Sequence, residues 1–225
     1  MEMKRKGKLI IIEGADGAGK TTQVKLLRQK LVALKRPSYF FHFPDYQSFF
    51  GKQIKDYLDG KYGALKEVDP HFTALLYSLD RQEKKEKFQN LLNNGKIIIC
   101  DRYTLSGFAY QGAAVKNSRQ RQQFRKWHEQ LEWQILEILK PDQVIYLHLP
   151  VNAASQNING RNRQQKTKRD IHERDLQYQL AVQKEMVYHI NRRKNWWLVN
   201  CVEKGRFLSP IEIHAKIWNK INKIV

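Results

Sequence analysis

The sequence predicts an α/β fold in which a five-stranded parallel β-sheet is flanked by helices. Short apolar runs alternate with longer segments of helical periodicity along the chain, which is the order expected of a parallel sheet. The run at residues 97–100 is apolar without alternation, as in a central strand covered on both faces. The first apolar run, residues 9–13, leads directly into a glycine-rich turn and then a helix. Together these observations favour a nucleotide-binding type of α/β architecture.

The elements follow in a regular order. Strands are expected at residues 9–13, 38–43, 96–101, 143–149 and 196–200. Helices are expected after the glycine-rich turn, at residues 49–58, 69–95 and 119–139, after Pro150, at residues 170–191, and from Ser209. Asp69 followed by Pro70 is typical of a helix start, and Pro44 and Pro141 end the elements before them. No linker or repeat divides the chain, so we expect one domain over residues 1–225.

The glycine-rich turn at residues 14–21 fits the phosphate-loop pattern G-x-x-x-x-G-K-[ST] at every specified position. Backbone N–H groups of such a loop surround a phosphate, the lysine reaches the outer phosphates, and the hydroxyl of Thr21 is a ligand for Mg²⁺. A chance glycine-rich turn is disfavoured because the required strand and helix flank the loop. The residues expected to bind a nucleoside triphosphate are Gly14, Ala15, Asp16, Gly17, Ala18, Gly19, Lys20, Thr21 and Thr22. ATPases, GTPases and kinases share this loop, so it does not decide the reaction.

Asp101 and Arg102 follow the central strand, so they should lie at the same edge of the sheet as the phosphate loop. The carboxylate of Asp101 can reach the Mg²⁺ ion, directly or through water, and the planar guanidinium of Arg102 suits phosphate oxygens. A purely structural Asp–Arg ion pair is the alternative for these two residues.

Composition limits the partners without choosing among them. The 41 basic and 22 acidic residues give a formal net charge of +19, which favours nucleotides, nucleic acid or an acidic surface as partners. The basic residues form no recognisable DNA-binding module, so nucleic acid is disfavoured. No stretch approaches the length of a membrane span, and the N-terminal apolar run ends too early for a signal peptide. Cys100 and Cys201 lack metal-ligand spacing and are expected to be buried thiols of a cytoplasmic protein.

Residues 101–111, Asp-Arg-Tyr-x-x-Ser-x-x-Ala-Tyr-Gln, resemble the signature of the thymidylate kinase family, and residues 13–22 resemble that family's phosphate loop. The resemblance implies the P-loop nucleoside monophosphate kinase fold with a mobile basic lid. It also implies transfer of the ATP γ-phosphoryl group to dTMP, giving dTDP and ADP in dTTP biosynthesis, with Mg²⁺ and as a homodimer. The alternative is another P-loop deoxynucleotide or deoxynucleoside kinase with broader pyrimidine specificity.

The same resemblance implies roles for individual residues. Tyr77 would stack on thymine, Arg81 would hydrogen-bond the base edge, and Tyr110 would crowd the place of a ribose 2′-hydroxyl. Arg102 would hold the dTMP phosphate, while Asp16 would face the 3′-hydroxyl or organise that arginine. The substrate-binding residues would be Asp16, Phe43, Pro44, Tyr77, Arg81, Arg102, Ser106, Tyr110 and Gln111; the catalytic residues Lys20, Arg102, Arg161 and Asp16; and the metal ligands Thr21 and Asp101. From spacing alone, Phe43 and Tyr77 would be ordinary core aromatics.

Three departures from the family pattern matter. Some members carry an arginine where this chain has Gly17, so the catalytic cation is expected from the lid at about residues 160–170, with Arg161 preferred over Arg163 and Arg169. Tyr46 and Leu105 replace residues that some relatives use near the monophosphate and the base. The strictness of thymine and deoxyribose selection therefore stays open. A further basic cluster is expected to form an exposed helix face: Arg119, Arg121, Arg125 and Lys126.

Overall fold

The computed structural model describes residues 6–151 and 175–225. A five-stranded parallel sheet has the order β2-β3-β1-β4-β5, which confirms the fold class expected from the sequence. The strands are β1 (Lys8–Gly14), β2 (Ser38–His42), β3 (Ile97–Asp101), β4 (Gln143–His148) and β5 (Trp196–Asn200). A short antiparallel hairpin, β6 (Val202–Glu203) and β7 (Arg206–Phe207), follows β5 and was not expected.

The helices fill both sides of the sheet. They are α1 (Lys20–Ala33), α2 (Phe49–Leu58), α3 (Pro70–Gln82), α4 (Lys85–Asn93), α5 (Thr104–Ala114), α6 (Ser118–Gln130), α7 (Leu176–Ile190) and α8 (Pro210–Ile221). Within residues 6–151 and 175–225, none of them has the length and apolar character that a membrane crossing needs. The expected lid and the helix before it fall in residues 152–174, outside the described part of the chain.

The central strand β1 divides the core between two layers, since successive side chains of a strand point to opposite faces. Leu9 and Ile11 belong to a buried cluster that also contains residues of α4, α5 and α7. Ile10 and Ile12 belong to a second cluster with residues of α1 and α8. All four side chains are fully buried, so β1 is covered on both faces as the sequence predicts for a central strand.

The expectation of one helix over residues 69–95 is wrong. Two helices, α3 and α4, are separated by a turn at Glu83 and Lys84. This polar stretch contains no glycine or proline, and the turn is held instead by contacts with distant residues. Lys84 pairs with Asp45 at 2.6 Å, and the carboxylate of Glu83 accepts a hydrogen bond from the N–H of Phe50 at 3.4 Å.

The helix expected over residues 119–139 is also shorter. Its regular part, α6, ends at Gln130 and continues as a π-helical turn, Leu131–Ile135. The N–H of Leu136 donates to the carbonyl of Leu131, and the N–H of Ile138 donates to the carbonyl of Glu132. The turn thus ends the helix while the side chain of Glu132 stays fully buried.

Candidate active site

The phosphate loop joins β1 to α1. Gly17 (φ 81°) and Gly19 (φ 85°) both adopt the left-handed backbone region that disfavours residues with a Cβ. A Cβ on Gly19 would meet no heavy atom within 4 Å, so its requirement for glycine is conformational rather than steric. Helix α1 begins at Lys20, immediately after the loop, and its positive end therefore faces the loop. This is an anion-binding geometry.

Lys20 spans the loop from the first residue of α1. Only 7% of the residue is exposed, its Nζ donates to the carbonyl of Ala15 at 3.1 Å, and it lies 3.5 Å from Oδ1 of Asp16. Burial lowers the pKa of Lys20 and the nearby Arg102 lowers it further, whereas the carboxylates of Asp16 and Asp101 oppose the shift. A bound phosphate would add negative charge beside this buried ammonium and favour its charged form.

Thr21 and Asp101 meet across the sheet edge, with Oγ1 of Thr21 3.4 Å from Oδ2 of Asp101. The second carboxylate oxygen, Oδ1, is buried and has no hydrogen-bond partner among the described residues. Burial raises the pKa of Asp101, but the contact with His42 and the charges of Lys20 and Arg102 outweigh it and keep the pKa low. An ionised, unpartnered oxygen beside a hydroxyl fits Mg²⁺, which commonly takes few protein ligands and completes its shell with water and phosphate.

Arg102 lies directly after β3 and is held on several sides. Its Nη2 donates to Oδ1 of Asp16 at 2.7 Å, and its Nη1 donates to Oγ of Ser106 at 3.2 Å. The guanidinium carbon is 5.5 Å from the ring centre of Tyr110, and the backbone φ of Arg102 is +67°. Arg102 therefore pairs with Asp16 and not with the adjacent Asp101, and both members of this ion pair line a cavity.

Glu13, the residue before the phosphate loop, fixes the position of Ser106. Its carboxylate is fully buried and accepts hydrogen bonds from the N–H of Tyr103 (2.8 Å), the N–H of Ser106 (3.1 Å) and Oγ of Ser106 (2.6 Å). Burial raises the pKa of Glu13, while these hydrogen bonds and the charge of Arg102 oppose the rise. Sequence reasoning missed this role, although a carboxylate at the end of an apolar central strand was a usable signal.

A cavity of about 160 Å³ opens beside Arg102. Its wall brings together many of the residues expected to bind substrate: Asp16, Pro44, Tyr77, Arg102, Ser106, Tyr110 and Gln111. The wall also includes Tyr46, together with three residues that sequence reasoning missed: His42, Leu58 and Gly107. His42 ends β2, and pairing with β3 sets it opposite Asp101, so the strand order was needed to find it.

Phe43 and Arg81, two further residues expected at the substrate, lie outside this wall. Phe43 is 3% exposed and packs against Phe88 and Tyr103, with ring centres 6.1 and 5.4 Å apart. In the structure Phe43 is therefore a core aromatic residue, which is what its spacing alone indicates. Arg81 is buried in an ion pair with Glu132.

A second cavity, also of about 160 Å³, lies against the other side of the phosphate loop. Gly17, Gly19 and Thr22 form one wall, and the end of the hairpin together with the start of α8 forms another, with Leu208 and Pro210. One cavity therefore lies on each side of the phosphate loop. Arg161, the lid arginine expected to complete the site, lies outside the described residues.

Comparisons with known proteins identify one family. A family model described as thymidylate kinase matches residues 12–207. A thymidylate kinase from Schizosaccharomyces pombe is 31% identical over 191 residues, covering 82% of this chain and 81% of the relative. One from Arabidopsis thaliana is 32% identical over 154 residues, covering 68% of this chain but only 53% of that relative.

A solved structure gives the same result at the level of the fold. The thymidylate kinase from Candida albicans superposes with a TM-score of 0.75 at 27% sequence identity, covering 98% of this chain and 93% of that one. The family match covers the phosphate loop, strands β2 to β5 and the Asp101–Arg102 segment. This chain belongs to the thymidylate kinase family.

Proposed function

We propose that this chain transfers the γ-phosphoryl group of ATP to dTMP, giving dTDP and ADP for dTTP synthesis. The observation that supports this most is one cavity wall that combines Tyr77 and Tyr110 with Arg102 and Asp16, next to the phosphate loop. The aromatic rings suit a base and sugar, and the guanidinium suits a phosphate. Membership of the family supports the same assignment.

The proposed reaction depends mainly on holding the phosphate groups of ATP and dTMP in the correct positions. The phosphate oxygen of dTMP is already anionic at neutral pH, so no strong general base is needed. Arg102 binds the dTMP phosphate and is itself fixed by Asp16 and Ser106. Lys20 neutralises charge on the triphosphate from its buried position across the loop. Mg²⁺, held by Thr21 and Asp101, would supply charge neutralisation between the phosphates.

The catalytic arginine of the lid remains part of the proposal. Gly17 leaves the phosphate loop without an arginine, so the cation is expected from the lid. Arg161 is the first choice because it follows the helix expected after Pro150, as the family's lid arginine does. Loss of such an arginine costs about 10³ to 10⁵ in turnover in related phosphoryl transfers. We expect Arg161→Ala to lower kcat far more than it weakens dTMP binding; an unchanged kcat would move the role to Arg163 or Arg169.

The proposal extends to the assembly and the setting of the enzyme. Residues 1–225 would form one domain that pairs as a homodimer in the cytoplasm. Free thiols at Cys100 and Cys201, both buried, are compatible with a reducing compartment.

An ADP-release assay tests the proposed reaction. The purified protein should use dTMP in preference to dUMP, dCMP, AMP and thymidine, and Lys20→Ala should abolish most of the activity while the protein stays folded. Equal use of dTMP and dCMP would favour the broader pyrimidine deoxynucleotide kinase. ADP release that does not depend on any of these acceptors would refute the proposal.

A further inference from the structure

A fully buried ion pair lies behind the substrate cavity. Arg81, on α3, and Glu132, in the π-helical turn, are 3% and 0% exposed. Nε of Arg81 donates to Oε2 of Glu132 at 3.3 Å, and Nη2 of Arg81 donates to Oε1 of the same carboxylate. Ser78 donates to that carboxylate at 2.8 Å and also contacts Nη2 of Arg81 at 3.4 Å. The carboxylate thus fixes one whole edge of the guanidinium.

Stability alone does not account for this pair. Moving two charges out of water costs several kcal/mol per ion, and well-packed apolar residues of the same volume are often equally or more stabilising. The regular helix α6 also gives way to a π-helical turn at the point where Glu132 enters the core. Such turns frequently accompany functional sites. The pair therefore combines a buried charge with an irregular helical turn, and it lies behind the cavity wall.

The guanidinium lies directly behind Gly107 in the cavity wall. A Cβ on Gly107 would fall 2.9 Å from Nη2 of Arg81 and 3.4 Å from Cε1 of His128, so a side chain there would collide with the pair. Arg81 also follows Tyr77 by one helical turn on α3, and Tyr77 lines the same cavity. The missing side chain at Gly107 therefore leaves room for the guanidinium directly against the wall of the cavity that Tyr77 also lines.

One nitrogen of the guanidinium is not used by the pair. Within residues 6–151 and 175–225, the side chain of Arg81 makes hydrogen bonds through Nε and Nη2, and Nη1 makes none. An arginine has only donors to offer. Nη1 can therefore donate to a carbonyl oxygen but cannot accept from an amino group.

The groups around the ion pair keep Glu132 and Arg81 in their ionised forms. Burial opposes ionisation of Glu132, but the charge of Arg81 outweighs it and lowers the pKa of Glu132 to about 2. His128, 3.5 Å from Glu132, is fully buried, and burial lowers its pKa. Ser78 completes the contacts of the carboxylate. The pair is consequently neutral as a whole and cannot shed a proton to change its donor pattern near neutral pH.

We propose that Glu132 is a positioning residue that locks Arg81 so that Nη1 donates to a carbonyl on the pyrimidine edge, and so selects thymine or uracil against the 4-amino edge of cytosine. The inference rests on the proposed function, because it needs a pyrimidine nucleotide in the Tyr77 cavity. Its new content is that acceptor selection is set by a carboxylate that does not line the cavity.

Steady-state kinetics of Glu132→Gln, Arg81→Met and the double variant test the proposal. A glutamine offers one acceptor where the carboxylate offers two, so the guanidinium loses its bidentate hold. We expect Glu132→Gln to raise KM for dTMP about 10-fold or more, the scale of one lost hydrogen bond to a charged group. The values of kcat and of KM for ATP should stay within about 2-fold, and the dTMP-to-dCMP preference should fall. Adding Glu132→Gln to Arg81→Met should not change KM for dTMP further.

Glu185 offers a matched control, because it is 3% exposed and accepts two hydrogen bonds from Arg125 at 2.8 and 2.6 Å. Glu185→Gln should lower the unfolding midpoint but leave KM for dTMP unchanged. Should Glu132→Gln fold poorly, Glu132→Asp keeps the charge and withdraws the carboxylate by one methylene, and should still raise KM for dTMP.

Two results would overturn the inference while leaving the proposed function intact. One is a dTMP KM that is unchanged in the folded Glu132 variants of an active enzyme. The other is a full additional effect of Glu132→Gln in the Arg81→Met background, since a carboxylate that acts through Arg81 can have none there. Absence of dTMP phosphorylation by the unmodified protein would instead refute the proposed function itself.

Discussion

At the scale of single residues, two side chains of the cavity wall are held in place by hydrogen bonds to other side chains. Arg102 is held by Asp16 and Ser106, and Ser106 is held by Glu13. Such supporting contacts determine whether a binding side chain keeps its geometry when the substrate is absent.

The first prediction concerns Glu13→Gln. A glutamine has a single acceptor oxygen for the three donors that the carboxylate now satisfies, so at least one buried donor is left unpaired. We expect the free energy of unfolding to fall by about 1–3 kcal/mol and kcat/KM for dTMP to fall as Arg102 loses its support. Denaturant unfolding and kinetics measure both effects. Glu203→Gln, on an exposed carboxylate that pairs with Lys216, should change each very little.

The second prediction concerns acid stability and Glu132. Its pKa is lowered from 4.5 to about 2 in the folded protein, so its contribution to stability is fully present above about pH 4.5 and is lost as the pH falls towards 2. We expect the free energy of unfolding to fall less steeply in Glu132→Gln than in the unmodified protein across this window. Urea unfolding at stepped pH values checks it. Equal slopes of the free energy of unfolding against pH in the two proteins would contradict the prediction. They would mean that folding does not lower the pKa of Glu132.

The roles of individual residues could be predicted from the sequence only where the residues belong to a short local motif. Lys20, Thr21 and Arg102 stand in short patterns whose chemistry is known, and their positions in the structure suit those roles. The supporting role of Glu13 depends on Ser106, 93 residues away, and that of Glu132 on Arg81, 51 residues away. No sequence pattern reports contacts over such separations.

At the scale of elements, the ends of helices are specified by local chemistry. Ser209 caps α8 with a capping box: its side chain accepts from the N–H of Glu212, and the Glu212 carboxylate accepts from the N–H of Ser209. Helix α8 covers the second core cluster and forms part of the cavity beside the phosphate loop. Its start therefore matters for both stability and the donor side of the site.

The third prediction is that Ser209→Ala destabilises the protein by about 1 kcal/mol, since an N-cap hydroxyl is lost. The change should lower the midpoint of thermal or denaturant unfolding. Ser118→Ala is the matched control, because Ser118 is an exposed residue at the first position of α6 and Asn117 supplies that helix's cap. Equal effects of the two substitutions would mean that the cap contributes nothing measurable.

Elements with strong local signals were predicted well. Helix α2 and strand β5 begin and end where the sequence indicated. The break between α3 and α4 and the π-helical turn were missed, because tertiary contacts of Lys84 and Glu132 decide them rather than glycine or proline. The hairpin of β6 and β7 has two residues in each strand, too few for a periodic pattern.

At the scale of the whole molecule, the homodimer of the proposal needs an apolar surface. Large apolar side chains are exposed on two neighbouring helices: Phe49 (68%) on α2, and Phe72 (46%) and Leu75 (38%) on α3. Helix α3 also carries Tyr77, which lines the substrate cavity. A subunit contact on this surface would therefore involve a helix that also lines the proposed acceptor site.

The fourth prediction is that the purified 26.8 kDa chain has twice that mass in solution and that the double substitution Phe72→Glu and Leu75→Glu makes it monomeric. Burying charged side chains in an apolar contact costs several kcal/mol. Light scattering after size-exclusion chromatography measures the masses. Ile211→Glu, on a residue of α8 that is even more exposed (66%), should leave the dimer intact. A monomeric unmodified protein would contradict the homodimer proposal.

The overall fold was predictable as a class because strand and helix periodicities alternate so clearly, whereas the arrangement of the site was not. The strand order β2-β3-β1-β4-β5 places His42 beside Asp101. The sequence around His42 does not predict this contact. Likewise, the net charge of +19 describes the molecule but does not separate a nucleotide enzyme from a nucleic-acid-binding protein.

The central claim is that dTMP binds in the cavity between Tyr77 and Arg102 with its phosphate towards Lys20. A crystal structure of the protein with dTMP bound tests it most directly. The thymine ring should pack on Tyr77 and the phosphate oxygens should accept hydrogen bonds from Arg102. A pyrimidine bound away from Tyr77, or a phosphate that does not contact Arg102, would contradict the account.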